Sequence, residues 1–248
     1  MNYDLLIDLH KAEERQGPGG ETETLQALQL SGLMEKAGPL QIADIGCGTG
    51  ASTLLLAEYL KADITAVDLF PAFLERLKER AKAAHIQGHI TPLLCSMESL
   101  PFAPCSLDAI WSEGAIYNMG FAAGIAAFKP FLKQGGILAV SEITWLTNQR
   151  PPALTQYWDS EYPEIATAAE KIRILENEGF IIKGYFPLPE SCWRNNYYAP
   201  LQSRFNDFLT AHDTPDARAI VLAEQDEIKL YEQYCQYYSY GFYIAQKT

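Results

Sequence analysis

The sequence has 248 residues, of which 48% are hydrophobic, and its formal net charge is −12. This length suits one large α/β domain with an appended segment better than two full domains. The acidic balance disfavours nucleic acid and anionic membranes as partners, because binding to phosphates depends on clustered Lys and Arg. No apolar run reaches the ~18 residues of a membrane span, and the start of the chain lacks a signal-peptide pattern. We therefore expect a cytoplasmic protein without a membrane partner, either a monomer or a homodimer.

The cysteines and histidines indicate neither disulfides nor a metal site. Five cysteines are an odd number, and no two of them have C-x-x-C spacing, so reduced thiols are expected. The four histidines are scattered, and no His, Asp and Glu cluster has the spacing of metal ligands. We predict no metal.

The first forty residues are expected to form helices around a glycine-rich turn. A helix pattern covers residues 3–12, the turn covers residues 16–20 (QGPGG), and a second helix places Leu25, Leu28 and Leu33 on one face. The turn could simply separate the two helices, or it could cover a ligand.

Strand and helix patterns alternate from residue 41 onward. Short apolar runs such as residues 137–140 (ILAV) suit strands that are buried on both faces, as in a parallel sheet. The predicted strands are 41–46, 63–68, 90–94, 107–112 and 136–143, and the predicted helices are 51–61, 71–84 and 121–132. This alternation predicts a doubly wound α/β sheet.

Two more strands are predicted near the C-terminus, at residues 180–186 and 241–246. Helices near 201–211 and 215–236 lie between them, so we expect a helical cap at about 187–239, inserted before the last strand. Connections this long tend to be functional. A loop at 147–163 is expected on the same side. The predicted organisation is an N-terminal segment 1–40, a core 41–146, and a part 147–248 that completes the same sheet.

The most informative motif is the segment 42–51 (IADIGCGTGA), where an apolar strand leads into a glycine-rich turn and then a helix. Glycines allow a backbone to approach a ligand closely, and the start of the helix favours negative charge. Asp68 ends the next strand about 20 residues later, where a carboxylate can accept bonds from a ribose. Gly46, Gly48 and Ala51 also satisfy the G-x-G-x-x-G/A dinucleotide pattern, so spacing alone leaves the cofactor open.

Residues 44–50 (DIGCGTG) resemble the first motif of the class I S-adenosylmethionine-dependent methyltransferases. Residues 100–111 and 131–138 resemble the family's approaches to its fourth and fifth strands. The likeness is best over about residues 40–145, in the small-molecule branch that includes the ubiquinone and menaquinone biosynthesis methyltransferases. Residues 14–19, 111–118 and 191–193 resemble a bacterial group of methyltransferase-like proteins of unknown substrate.

The resemblance implies a Rossmann-like, mostly parallel seven-stranded sheet with a reversed C-terminal hairpin, which binds S-adenosyl-L-methionine and releases S-adenosyl-L-homocysteine. It implies that Asp44 meets the amino acid part of the cofactor, directly or through water, and that Asp68 binds the ribose. Ser96 and Met97 fall beside the expected adenine, although Ser96 replaces the acid that is common there. The remaining implied cofactor residues form a lid, the glycine loop and its surroundings: Arg15, Gln16, Gly17, Gly46, Cys47, Gly48, Gly50, Leu69 and Glu113.

Methyl transfer from a sulfonium is an in-line displacement, so the protein mainly aligns a small-molecule acceptor and excludes water. A general base is optional, and Glu113 and Tyr117 are the catalytic candidates; Glu113 could equally cap a helix or orient the loop. The segment 193–198 (WRNNYY) could line a pocket for an aromatic, aliphatic or cationic acceptor. The residues expected in the acceptor pocket are Tyr117, Asn118, Glu142, Trp145, Trp193 and Tyr197.

Two other functions compete with a methyltransferase. The dinucleotide-like glycine pattern motivates a nicotinamide-dependent oxidoreductase. A non-catalytic protein that binds S-adenosylmethionine in order to sense it, or to serve in an assembly, would need the same loop.

Overall fold

A computed structural model describes residues 3–248, and within them eight strands form one sheet. Seven strands follow the order β3-β2-β1-β4-β5-β8-β7, and the two-residue β6 pairs alongside β5. The strands are β1 Leu40–Ile45, β2 Ala62–Asp68, β3 Ile90–Leu94, β4 Leu107–Glu113, β5 Leu132–Trp145, β6 Ala166–Thr167, β7 Phe180–Pro187 and β8 Tyr238–Lys247. Strand β8 is antiparallel to both of its neighbours. The predicted mostly parallel sheet with a reversed C-terminal hairpin is confirmed.

Helices cover both faces of the sheet. They are α1 Tyr3–His10, α2 Glu21–Ser31, α3 Ala51–Tyr59, α4 Pro71–Ala83, α5 Phe121–Phe128, α6 Pro152–Glu161, α7 Ala168–Asn177, α8 Glu190–Trp193, α9 Ala199–Ala211 and α10 Pro215–Tyr234. Alternate strand residues separate two cores, since Ile42 joins one and Ala43 the other. The first core packs under α2, α3 and α4, and the second packs under α5 and α7.

Several predicted boundaries were wrong. Helix α5 ends at Phe128, and a short 3-10 turn through Pro130 leads directly into β5, which is longer than predicted at both ends. The segment 147–163, predicted as a loop, contains α6, which begins after Pro151 with a proline in its first turn. Helix α7 was not predicted; its start is fixed by a capping box between Thr167 and Glu170.

The predicted helical cap lies between β7 and β8 and consists of α8, a π-helical turn, α9 and α10. Its interior is aromatic: the Trp193 ring stacks on Tyr231 with ring centroids 4.4 Å apart, and the Tyr238 ring packs edge-on against both. Helix α1 lies against this cap, where Arg204 Nε donates to the Leu9 carbonyl at 2.8 Å. The N-terminal segment and the cap therefore form one structure beside the sheet.

Within residues 3–248, no helix combines the length and the apolar character that a membrane crossing requires. The same residues contain no group of three or more His, Cys, Asp or Glu side chains placed to hold a metal ion.

Candidate active site

The site lies between β1 and β4, where the order of successive strands in the sheet reverses. Strands β1 and β4 are neighbours, but the helix that follows β1 packs on one face and the helix that follows β4 packs on the other. The connections after these two strands therefore diverge and leave a crevice at their carboxyl ends. The glycine loop, residues 46–50, forms one wall of the crevice, and residues 113–115 form another.

The glycine loop needs its glycines for both conformation and space. Gly48 has φ +55°, a value that residues with a Cβ rarely adopt. A Cβ on Gly48 would lie 2.2 Å from Gln16 Oε1, and one on Gly46 would lie 2.3 Å from the Ala115 Cβ. The loop is thus packed between the N-terminal turn and the segment after β4.

Asp68, at the end of β2, holds the loop through its backbone. Its Oδ2 accepts from the Gly48 amide at 2.8 Å, and its Oδ1 accepts from the Phe70 amide at 2.9 Å. Burial raises the pKa of this carboxyl, while the backbone donors oppose the rise. Both oxygens keep further lone pairs, so the side chain can accept ribose hydroxyls as well as these amides.

Asp44 lies beneath the loop and does not line the cavity. Its Oδ2 accepts from Ser52 at 2.8 Å and from Thr53 at 2.6 Å, which fixes the start of α3. Its Oδ1 is buried without a hydrogen-bond partner among the described residues. Burial raises the pKa of Asp44 to about 7 in spite of the two hydroxyl donors. Asp44 therefore supports the start of α3 beneath the loop and is not among the residues that line the cavity.

The N-terminal turn is fastened over the glycine loop. Gln16 Oε1 accepts from the Thr49 amide at 2.8 Å, and Thr49 Oγ1 donates to the carbonyls of Glu13 and Glu14 at 2.9 Å. Arg80, on α4, donates to the carbonyls of both Glu14 and Thr49. These bonds place Gln16 and its neighbours at the cavity, where sequence reasoning expected a lid.

Glu113 is held by three donors at the end of β4. Its Oε2 accepts from Arg15 at 2.9 Å, and its Oε1 accepts from Thr24 and from Trp111 Nε1, both at 2.8 Å. To act as a general base, Glu113 would have to give up one of these hydrogen bonds. The contacts favour the alternative in which Glu113 orients Arg15 and the N-terminal turn.

Most of the predicted site residues line one cavity of about 860 Å³. Its volume lies near the upper end of the range for small-molecule sites, ~300–1,000 Å³, and leaves room for a cofactor and a small acceptor. The predicted residues that line it are Arg15, Gln16, Gly17, Gly46, Cys47, Gly48, Asp68, Leu69, Ser96, Met97, Glu113, Tyr117, Asn118 and Tyr197. Cys47 is a packed wall residue rather than a nucleophile, since burial holds the pKa of its thiol well above its usual range.

Four other predicted residues lie away from the cavity. Gly50 faces Leu77 of α4. Glu142 is fully buried and forms an ion pair with Lys171 at 3.2 Å. Trp145 lies under the Arg150 guanidinium, and Trp193 donates from Nε1 to Ser239 Oγ at 2.9 Å inside the cap. Glu142, Trp145 and Trp193, three of the residues expected in the acceptor pocket, therefore do not line this cavity.

The side of the cavity next to the cap, here called the cap wall, includes three ionisable residues that sequence reasoning missed: His10 of α1, and Glu224 and Glu227 of α10. His10 Nε2 lies 3.1 Å from Glu224 Oε1, and Tyr198 donates to Glu227 Oε1 at 3.0 Å. Burial, reinforced by Glu224, raises the pKa of Glu227 to about 7. A sequence signal existed: both carboxylates fall on the face of α10 that carries its buried apolar residues, and carboxylates are rare in such a stripe.

The cavity, the glycine loop and the sheet with one reversed strand define a Rossmann-like methyltransferase fold. Residues 42–136 match the family model described as "Methyltransferase domain". A SAM-dependent methyltransferase from Geobacter sulfurreducens, crystallised with S-adenosyl-L-homocysteine, matches with a TM-score of 0.84 and 15% identity, over 99% of this chain and 98% of that chain. The segment 42–136 therefore carries a methyltransferase domain of the class I S-adenosylmethionine-dependent type.

Two curated relatives match over shorter stretches. The malonyl-[acyl-carrier protein] O-methyltransferase of Laribacter hongkongensis is 32% identical over 107 residues, which are 40% of this chain and 36% of that protein. The erythromycin 3''-O-methyltransferase of Saccharopolyspora erythraea is 31% identical over 169 residues, which are 61% of this chain and 54% of that protein. The chain thus spans between a third and about half of the length of these relatives.

Proposed function

We propose that this protein transfers a methyl group from S-adenosyl-L-methionine to a small-molecule acceptor by direct in-line displacement. The observation that carries the proposal is the crevice between β1 and β4, where a glycine loop, the Asp68 carboxylate and a large cavity meet. The match of residues 42–136 to a methyltransferase domain supports the same reading. The two curated relatives are named for malonyl-[acyl-carrier protein] and for erythromycin, so these similarities leave the acceptor open.

The strand side of the cavity fits the cofactor. Gly46, Cys47 and Gly48 line the cavity, so the loop backbone is accessible to a ligand there. Asp68 would accept the ribose hydroxyls. Leu69, Ser96 and Met97 would surround the adenine, and Arg15, Gln16 and Gly17 would cover the bound molecule. When bound, the cofactor supplies a methyl group already activated by its sulfonium.

The protein's own contribution would be alignment and exclusion of water. Holding reactants in a productive geometry can lower a barrier by about 7–11 kcal/mol. Tyr117 and Asn118 stand at the acceptor side, and Asn118 is fixed by a bond to the Ala115 carbonyl at 2.9 Å. Tyr117 is 41% exposed, and an ordinary tyrosine hydroxyl is neutral at about pH 7, so it would act as a neutral donor or packing group. Glu113 would position the N-terminal turn.

The sheet favours a methyltransferase over a nicotinamide oxidoreductase. Dinucleotide-binding folds join two parallel βαβαβ halves. Here the second half contains the reversed strand β8, inserted between β5 and β7, and the cavity is closed by the cap. A non-catalytic S-adenosylmethionine-binding protein would not need the acceptor side of the cavity.

The net charge and the cysteines bear on the proposed partners and location of the protein. The acidic chain suits a cytoplasmic protein that takes a small molecule rather than nucleic acid, as a monomer or a homodimer. All five cysteines are free, as expected for a reducing compartment.

Parallel calorimetric titrations with S-adenosylmethionine, S-adenosylhomocysteine and NADH test the cofactor. We expect saturable 1:1 binding of the two sulfur compounds and none of NADH; the reverse pattern would refute the proposal. Methylation of an acceptor above background, lost in Tyr117→Phe with cofactor affinity retained, would then exclude the sensing function.

A further inference from the structure

The charge on the cavity wall narrows the class of acceptor. Five carboxylates line the cavity among residues 3–248: Asp68, Glu98, Glu113, Glu224 and Glu227. Two basic side chains line it in the same residues, and each already faces a carboxylate. Arg15 pairs with Glu113 at 2.9 Å, and His10 lies 3.1 Å from Glu224. A phosphate or carboxylate on the acceptor would find no free cationic side chain on this described wall, and it would be repelled by the carboxylates.

The cap side of the same cavity combines carboxylates with aromatic rings. Glu224 and Glu227 lie one helical turn apart on α10 and line the cavity together with Tyr117 and Tyr197. Burial, and after it the nearby Glu227 carboxylate, raises the pKa of the Tyr197 and Tyr198 hydroxyls. Carboxylates and aromatic faces are the two kinds of group that attract an organic ammonium ion.

Two side chains of this wall also carry a buried polar atom without a protein partner among the described residues. The His10 side chain is only 8% exposed, yet its Nδ1 has no hydrogen-bond partner among the described residues. Glu224 Oε2 is also buried without a hydrogen-bond partner among the described residues. Buried polar atoms without a protein partner call for water or a ligand that completes their bonds. The Tyr197 ring stacks on His10, with centroids 6.3 Å apart, and holds that side chain at the wall.

We propose that the acceptor carries a positively charged amine, which docks on the cap wall against Glu227, Glu224 and the rings of Tyr197 and Tyr117. The proposal deepens the proposed function and rests on it, since it concerns the acceptor half of the same cavity. In this proposal the cap side of the cavity recognises the charge of the acceptor, and the strand side binds the cofactor.

Three phenyl compounds of similar size test the charge preference: phenethylamine, 2-phenylethanol and 3-phenylpropionate. Each is titrated by calorimetry into protein saturated with S-adenosylhomocysteine and into protein alone. We expect phenethylamine to bind at least about tenfold more tightly than the alcohol, and the propionate to bind most weakly. Glu227→Gln should remove this preference. Asp226→Asn, at an exposed neighbour on α10, is the matched control and should keep it.

Equal affinities for the three compounds, no binding of any of them, or a preference that survives Glu227→Gln would overturn the amine assignment. Glu227→Gln that weakens S-adenosylmethionine but not S-adenosylhomocysteine would also overturn it, because the carboxylate would then serve the sulfonium. The cofactor titrations keep the two proposals separate. Binding of S-adenosylhomocysteine without an amine preference refutes only the acceptor class, while amine binding without cofactor binding refutes only the proposed function.

Discussion

Replacement of Asp68 should weaken cofactor binding because this carboxylate joins two parts of the site. It accepts from the Gly48 and Phe70 amides and stands at the cavity wall. Asp68→Ala removes both acceptors and the proposed ribose contact. Asp68→Asn keeps one acceptor oxygen and places an amide donor where one backbone amide now donates.

The size of the effect follows from the bonds that are lost. Removing a partner from a buried donor, or losing a hydrogen bond to a charged group, costs about 1–3 kcal/mol. We therefore expect Asp68→Ala to weaken binding of S-adenosylhomocysteine by about 5–150-fold. The thermal midpoint should fall as well, since the Gly48 amide is buried beneath the cavity. Asp68→Asn should fall between the wild type and Asp68→Ala in both measurements.

Calorimetry gives the affinity, and thermal unfolding without ligand gives the stability. Asp63→Ala is the matched control at the other end of the same strand, where the exposed Asp63 accepts only from Gln41 at 3.0 Å. It should change neither measurement appreciably. A folded Asp68→Ala protein with wild-type affinity would refute the assignment of Asp68 to the ribose and, with it, the orientation of the cofactor in the cavity.

Three further variants test other parts of the structure. Gly48→Val should abolish cofactor binding in calorimetry, because its Cβ would overlap the N-terminal turn; Gly38→Val, with φ +87° but open space around it, carries backbone strain alone and should retain binding. Asp44→Asn should flatten the dependence of stability on pH. The pKa of Asp44 rises from 3.8 to about 7 on folding, so the wild type loses stability as pH rises from about 4 to 7. In urea unfolding, the free energy gained by Asp44→Asn over the wild type should be about 2–3 kcal/mol larger at pH 8 than at pH 5. An equal gain at both pH values would contradict the burial argument. Lys171→Met should destabilise the fold by about 3–5 kcal/mol in the same assay by stranding the Glu142 carboxylate, and a second change, Glu142→Leu, should restore most of the loss. Normal cofactor affinity in that double variant would agree with a structural role, whereas loss of acceptor methylation alone would return Glu142 to the acceptor site.

The cofactor half of the site could be predicted because its signals are local in sequence. The loop 46–50 directly follows a strand, and its glycines report a backbone conformation that other residues resist. Asp68 ends the neighbouring strand, so parallel pairing alone brings it beside the loop. Neither inference requires knowledge of how distant segments pack.

The side of the sheet on which a residue points could not be predicted in the same way. Strand β5 extends to Trp145, and its last ten residues, from Gly136 through Trp145, are all buried. Alternation of polar and apolar residues therefore gives no signal there. Glu142 was expected at the ligand edge because it lies near the strand end. Its actual partner is Lys171 of α7, a helix that sequence reasoning missed, and the pair is enclosed in the protein.

The acceptor wall depends on contacts between the two ends of the chain. His10 and Glu224 are 214 residues apart in sequence, and both lie outside the matched segment 42–136, as do Tyr197 and Glu227. Strands and loops within that segment build the cofactor side, so a shared family implies a shared methyl donor. If the proposed acceptor wall is correct, selection of the acceptor would depend largely on the cap, whose residues Glu224 and Glu227 form no hydrogen bond or ion pair with the glycine loop among the described residues. Substitutions at the cap wall should therefore change which acceptor is used while leaving cofactor affinity near its original value, and a cap variant that altered both equally would show that the two halves are not separable.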